Sequence, residues 1–437
     1  MISNLLSVPF RVCDHIPLDR ILADIIGRDF CQSAAAFDDV NRAQTLHNSI
    51  VAGAKDPHVD LRKYEHAVAE FFYFIKDIET KFPDHVATFE WYDTFFHRPQ
   101  LLHVKDWRSE RNHLGFQMGL LYSHRAHAEN IHMEEGLKKA CAYFQYAAGS
   151  FQALLDILDI LDSVNGTIGL DSPTITCLRS LMLGQAQELT WQKAVRTTGM
   201  KDTVISRLSA KVADLYADAV RSATDSDSVR QEWINHLHVK HLHFKAAAHY
   251  RMAVNALDTF EYGVQVAHLR IALQLCKEAS KHKRYVSQFV LDDLAGLNKT
   301  VQETLKTAER DNDLVYLKLV PTPEELPAIV GVSMVEPKKP PFLSSRDPAF
   351  YPAFAKLMPF SVIQVSQAFR ERQDAFIVAA FHDPLHALNK MLRQFLTERQ
   401  LPASLDTLQV PENLPDSIIE HSQEIISIGG NAHHKTP

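Results

Sequence analysis

The stretch "ERDNDLVYLKLVPTPEELP", residues 309–327, is where the reading of this 437-residue chain turns. Up to Asp313 the chain follows the period of a helix. From Leu314 it is extended, and Pro321, Pro323, Pro327, Pro337, Pro340 and Pro341 punctuate it. Proline fixes φ and removes a backbone donor, so no regular helix runs through 320–341. The segment is either a free linker or a strap that belongs to the helices before it. A flexible linker is rich in Gly and Ser. This one instead carries Leu314, Val315, Tyr316, Leu319, Val320, Leu326, Ile329, Val330, Val332, Met334 and Val335. So apolar a segment is expected to lie on something, and 314–341 is read as a strap folded back over the helices.

Those helices are legible by period. In "LRKYEHAVAEFFYFIKDI", Leu61, Tyr64, Val68, Phe71, Ile75 and Ile78 recur at three and four and give one apolar face. A longer helix spans about 132–162, with Leu137, Phe144, Phe151, Leu155 and Leu158 inward. "SVNGTIGLDSP" breaks it. Asp171 or Ser172 caps the next helix, Pro173 suits its first turn, and Gly199 is its stop. Further helices are expected at about 201–222, 228–257, 262–281 and 286–312, then from 347 to about 397 and over 415–427. Strand candidates are few: "SVPFRV" at 7–12 and "TFEWYD" at 88–93. Ala213, Tyr216 and Ala219 form a small–aromatic–small ladder, and Ala247, Tyr250 and Ala253 repeat it 34 residues on. That offset is the tetratricopeptide period. Small residues let helices approach and the ring fills the neighbouring hole. The alternative is plain helix packing.

Composition bounds function. The chain is long enough for two or three domains or one elongated helical array. Glycine is scarce, 15 residues, which argues against phosphate-binding glycine loops and a turn-dense β fold. A net charge of −7 gives no reason to expect nucleic acid as partner. Cys13, Cys31, Cys141, Cys177 and Cys276 are odd in number and far apart, with no CxxC pair, and read as reduced, mostly buried thiols of a cytoplasmic protein. "MISNLLSVPFRVCDH" has no signal-peptide pattern, and no apolar run approaches 18 residues. The sequons at Asn165 and Asn298 are therefore read as incidental.

Two stretches have the residue types for chemistry. "HLHVKHLHF", His236 to His243, puts His238 with His241 and His236 with His243 on shared helix faces. A helical metal-dependent enzyme would use such a cluster, but the glutamate of HExxH is absent and no second ligand set is evident. The ordinary reading is a partly exposed helix surface. "HRPQLLHVKDWRSERNH", 97–113, mixes Arg, His and Trp as a lipid or nucleic-acid patch would, but its acidic neighbours argue against one. No GxSxG, Walker loop, GxGxxG or kinase motif occurs. The residues alone lead to a cytosolic helical interaction protein with no catalytic site, metal or cofactor.

The same stretches carry a resemblance. "EEGLKKACAYFQYAAGSF" (134–151), "MLGQAQELTWQKA" (182–194), "MKDTVISRLSAKVADLYADA" (200–219) and "ERDNDLVYLKLVP" (309–321) resemble the Bro-type domain of Alix and its fungal relatives, with the fungal pH-response regulators nearest. "FAKLMPFSVIQVSQAFRERQDAFI" (354–377) and "LPDSIIEHSQEI" (414–425) look like the first helices of the V-shaped domain that follows it. The resemblance implies a mainly α fold. It would be a boomerang of long helices with a tetratricopeptide-like middle and a small N-terminal sheet, residues 1–345 including the strap, followed by a partial V-shaped domain over 346–437.

It also implies a non-enzymatic adaptor, cytoplasmic and peripheral on endosomes through its partners. In the family, a hydrophobic patch grips the amphipathic C-terminal helix of a polymerising ESCRT-III subunit. The matching positions are Val204 and Leu208 on one helix face and Met334 on the strap, flanked by Glu134 and Lys138. Thr190 stands where Alix has an aromatic, and Trp191 beside it is expected to compensate. Without the resemblance, Val204 and Leu208 would be ordinary core residues. The role implied is scaffolding of ambient-pH signalling through proteolytic activation of a transcription factor. The alternative is multivesicular-body cargo sorting with recruitment of a deubiquitinase. YPxL-type ligands belong to a pocket deeper in the V-shaped domain and are expected only of a full-length form.

Overall fold

A computed structural model of the chain describes residues 4–30, 33–95, 100–161, 170–401, 403 and 414–428, with backbone alone at 33 and 158–161. Cys31, the Leu158 side chain and the sequon at Asn165 lie outside these. The chain divides into two compact units, Met1–Leu357 and Met358–Pro437.

In the first unit a three-stranded antiparallel sheet, β1 (Val12–Cys13), β2 (Phe89–Asp93) and β3 (Gln100–Val104), is ordered β1-β2-β3, with Val12 opposite Tyr92 and Trp91 opposite Leu102. The expected strand over 7–12 shrinks to its last residue. Pro9 has no N–H to give a ladder. Side chains take the carbonyls instead: His124 Nε2 is 2.8 Å from Val8 O, His127 Nε2 is 3.1 Å from Leu6 O, and Thr94 Oγ1 donates to Phe10 O. β3 has no counterpart in the sequence reading, because its run QLLHV is short and edge-exposed.

The helices are α1 (Leu18–Asp29), α2 (Ser33–Lys55), α3 (Leu61–Lys81), α4 (Trp107–Ala128), α5 (Glu134–Leu161), α6 (Ser172–Arg196), α7 (Asp202–Thr224), α8 (Gln231–Asp258), α9 (Tyr262–Ala279) and α10 (Gln288–Asp311). From α3 to α10 each packs on its predecessor. Of the six α3 residues on the 3–4 period, all but Leu61 are buried. Asp171 is the α6 cap, accepting from Thr174 N at 2.9 Å. That helix ends at Arg196, and Gly199 serves the turn beyond it with φ +81°.

The ladder is real packing. Ala213, Tyr216 and Ala219 are buried, and the Tyr216 ring lies parallel to Phe244 at 6.2 Å. A Cβ on Gly184 of α6 would stand only 3.4 Å from that ring. In the repeat, Ala247 and Ala253 are buried and Tyr250 is half-buried.

After α10 a π turn (Asn312–Tyr316) ends in Leu317 at φ +48°, and the strap begins. It runs across α9, α7, α6 and α5. Its backbone is admitted by glycines: a Cβ on Gly263 would meet Leu319 O at 2.0 Å, and one on Gly149 would meet Lys338 O at 1.8 Å. The apolar side chains that suggested a strap hold it only in part. Leu319 is 91% exposed, and Leu314, Val315 and Val330 also face outward, whereas Val320 and Val335 pack on the helices. Hydrogen bonds to the strap backbone supply the rest.

The unit also continues past the expected edge at 345. Residues 347–357 fold as turns rather than helix and bury Phe350, Ala353, Phe354 and Leu357. Arg346 pairs with Asp77 at 2.9 Å, and the amides of Ala353 and Phe354 donate to Asp77 and Asp39, each at 2.7 Å. A one-turn helix α11 (Pro341–Ser344) buries Phe342 on the way.

The second unit holds α12 (Phe360–Ile377), α13 (Asp383–Glu398) and α14 (Asp416–Ser427). A π turn at Val378–His382 joins α12 to α13, just before Pro384, whose missing N–H cannot continue an α ladder. None of the described residues of these helices is buried.

Candidate partner-binding surface

Asp202, in the first turn of α7, is pinned by Arg251 of α8 at 3.0 Å, and an acid there also suits the positive end of the helix. One residue pair further, Val204 stands 41% exposed. Leu208, one turn on, is not exposed: at 6% it closes a small cluster with Ala194, Ile205 and the half-buried Trp191. The expectation that both residues line an open face is corrected here. Val204 is surface, and Leu208 is the floor beneath it, because α6 and α7 approach closely enough for Trp191 and Ala194 to cover it. The Trp191 ring in turn meets Phe244 edge-on at 5.2 Å.

Glu134 begins α5. Lys138 reaches it from one turn on at 2.9 Å, and Lys193 of α6 reaches it at 3.3 Å. These two ammonium groups hold the exposed Glu134 carboxyl below the usual carboxylate range. Lys193, unmarked in the sequence, thus links the polar flank to the α6 side. Thr190 spends its hydroxyl on Ala186 O at 3.2 Å and offers no aromatic surface.

Met334 is 62% exposed on the strap. On one side of it Val332 N donates to Arg207 O of α7, and on the other its own N–H donates to Gln187 Oε1 of α6 at 2.9 Å. The structure thereby ties the strap on both sides of Met334 to α6 and to α7, the helix that bears Val204. Gln187 left no mark in the sequence reading, since a buried glutamine in a helix looks like any other.

The histidine cluster is a partly exposed helix face, with His238, His241 and His243 half-buried and His236 turned fully inward. His236 is buried, and desolvation, then Lys240, push its ring down to about 3; His243 falls to about 3 for the same reasons. His238 stacks on His282 at 4.4 Å and His241 Nδ1 lies 2.9 Å from Ala213 O. Among the described residues no group of three or more His, Cys, Asp or Glu is placed to hold a metal. The described part of 97–113 is also spent structurally. Trp107 and His113 are buried, and Arg108 and Arg111 both pair with Glu79 at 3.0 and 2.8 Å. Glu110, buried against Trp91 Nε1 at 2.7 Å, is pushed up to about 8 by desolvation.

One feature has no sequence signal at all. Lys240 of α8 donates to both carboxylate oxygens of Glu188 on α6, at 2.8 and 3.0 Å, and Tyr216 adds a third bond at 2.8 Å, all buried. The pair forms one wall of a cavity of about 630 Å³ between α6, α8 and α10.

The chain is 43% identical, over 98% of its length, to the pH-response regulator protein palA/RIM20 of Debaryomyces hansenii, and covers 56% of that protein. For the protein of the same name in Emericella nidulans the figures are 36%, 97% and 51%. The chain thus spans about half the length of these curated relatives.

Among solved structures it resembles ALIX in complex with the SIVmac239 PYKEVTEDL late domain, with TM-score 0.69 and 25% identity over 98% of this chain and 61% of that one. It also resembles an ALIX BRO1–CHMP4C complex, with TM-score 0.67 and 25% identity over 81% of this chain and all of that one. A BRO1-like domain family profile matches residues 5–377. By fold, by this match and by its relatives, the chain belongs to the BRO1-like domain family.

Proposed function

We propose that this chain is a non-enzymatic adaptor whose α6–α7 face, with the strap, takes the C-terminal amphipathic helix of a polymerising ESCRT-III subunit. In the setting of the pH-response relatives it would scaffold ambient-pH signalling, peripheral on endosomes. The observations that carry the reading are Val204 exposed on α7, Met334 exposed on a strap that is hydrogen-bonded to α6 and α7, Leu208 packed with Trp191 in the α6–α7 seam, and a charged Glu134–Lys138–Lys193 flank. An amphipathic helix presents apolar anchors at i, i+3, i+4 and i+7, which aliphatic side chains receive, while a charged rim tunes rate and orientation. The relatives' names favour pH signalling over cargo sorting, and the likeness to the ALIX–CHMP4C complex supports the partner class. Residues 358–428 are read as the first helices of the V-shaped domain. Among the described residues no helix is long and apolar enough to cross a membrane.

The test is binding of a labelled ESCRT-III C-terminal helix peptide by fluorescence anisotropy. Val204→Asp places an unpartnered carboxylate where an apolar anchor must dock, a desolvation cost of several kcal/mol, roughly 2–7 by transfer measures. It should abolish binding and leave the melting temperature unchanged, because Val204 is at the surface. Undiminished binding by this variant would remove the groove reading.

A further inference from the structure

The strap is read by side chains rather than by a neighbouring strand. Arg207 Nε donates to Val330 O at 3.2 Å, and Val332 N donates to Arg207 O at 3.1 Å. Gln187 Nε2 then donates to Val332 O at 3.0 Å while its Oε1 accepts from Met334 N at 2.9 Å. Further along, Glu336 N donates to Gln145 Oε1 at 3.4 Å and Lys338 N to Gln145 O at 3.0 Å. Backbone groups of alternate residues, 330 to 338, thus face the helices, as the two-residue period of an extended chain requires.

The Gln187 amide occupies the place of a peptide group in a parallel ladder centred on Ser333. It gives one hydrogen bond to the residue before and takes one from the residue after. Its side chain is completely buried. A slip of the strap by one residue would break both bonds and turn Met334 to the other side of the chain.

Building on the groove reading, we infer that Gln187 is a positioning residue for partner binding. It never meets the partner helix, but its amide fixes the strap register that turns the Met334 side chain outward over α6 and α7. Gly331 serves the same end from the strap side. A Cβ there would stand 2.8 Å from Lys211 N and 2.8 Å from Asp214 Oδ2 of α7, so only glycine lets the strap lie this close.

The experiment uses the full chain, the labelled ESCRT-III helix peptide, and the variants Gln187→Met, Met334→Ala and their combination. Gln187→Met keeps the volume and removes both hydrogen bonds. Expected are a tenfold or greater rise in hydrogen exchange at the Met334 amide, and a roughly tenfold loss of peptide affinity. In the Met334→Ala background Gln187→Met should cost nothing further, since a residue acting through Met334 has nothing left to position. Should Gln187→Met fold poorly, Gly331→Ala must reproduce the same exchange and affinity changes.

An equal affinity loss in both backgrounds, or an unchanged Met334 exchange rate, overturns the inference. Wild-type chain that binds no peptide removes the groove reading itself, and this inference with it. Wild-type binding with an inert Gln187 removes the inference alone.

Discussion

Leu208 and Lys240 show what single side chains contribute and how little of it a sequence displays. The four-residue spacing of Val204 and Leu208 placed them on one face, but spacing cannot say how high the neighbouring helix rises. Leu208 lies under Trp191 and Ala194, so a charge there would unfold the α6–α7 seam before it reported on binding. Leu208→Ala should lower stability by about 2–4 kcal/mol, as truncating a buried leucine does. It should also weaken the partner helix by loosening Trp191, visible as a lower urea midpoint alongside reduced anisotropy. A normal midpoint would mean the floor is not packed as described.

Lys240 belongs to a buried pair, for which removing one partner is far worse than removing both. Lys240→Met leaves the Glu188 carboxylate uncompensated and should cost about 3–5 kcal/mol. Glu188→Gln added to it should restore much of the loss. Additive losses would show that the pair is not the unit. Neither residue was legible, because a lysine on one helix and a glutamate 52 positions earlier on another carry no shared pattern.

At the scale of elements, α4 and α8 are unusual for the neutral imidazoles they enclose. His127 of α4 and His249 of α8 are pushed to about 4, as is His47 of α2, while His236 and His243 of α8 are pushed to about 3, in each case mainly by desolvation. Each folded value lies below the ordinary 6.5. As pH falls, the unfolded chain therefore takes up protons that the folded chain refuses. Stability from these groups is complete above about 6.5 and is lost progressively as pH drops toward 4 and then 3. At pH 5 each site can cost up to about 2 kcal/mol. Glu110, raised to about 8, works the other way, favouring the fold as pH falls below 8. One such group does not offset five. Melting temperature should therefore fall steeply between pH 6.5 and pH 5, and a flat profile would show these rings to be hydrated in solution.

The cluster was read from sequence as a partly exposed helix surface, which holds for the half-buried His238, His241 and His243 but not for the buried His236. Burial of neutral imidazoles against other helices is a tertiary fact. The strap shows the same divide. Its path over the helices followed from proline spacing and apolar content, yet about half of the apolar groups proved exposed, and hydrogen bonds share the hold with Val320 and Val335. No window of one sequence contains both Gln187 and Met334.

On the scale of the whole molecule, the helices were legible because their period is long and repeated. The sheet was half-legible because its strands are two to five residues long, and the first compact unit runs on to Leu357, past the expected domain edge at 345. The segment 347–357 has a helix-like pattern but is held by Asp39 and Asp77 in turns. Beyond it, α12 to α14 expose their apolar faces. On α13, Leu385, Leu388, Leu392 and Phe395 recur at three and four, and all are more than half-exposed or at the half mark, as are Phe376 and Phe381 before them. A contiguous apolar stripe in water is a surface in search of cover. Full chain at tens of micromolar should therefore associate with itself, while a chain ending at Leu357 should remain monomeric, since that unit buries Phe342, Phe350, Phe354 and Leu357 within itself. Light scattering coupled to size exclusion distinguishes them. The same geometry gives the ligand expectation. A tyrosine ring needs a preformed concavity, and a shallow groove along α13 is lined by the polar His386, Asn389, Lys390, Arg393, Gln394, Thr397 and Glu398. Calorimetry with a YPxL peptide should thus show no stoichiometric heat for this chain. Tight binding would place the tyrosine site within the helices present here and would require α12–α14 to rearrange around it.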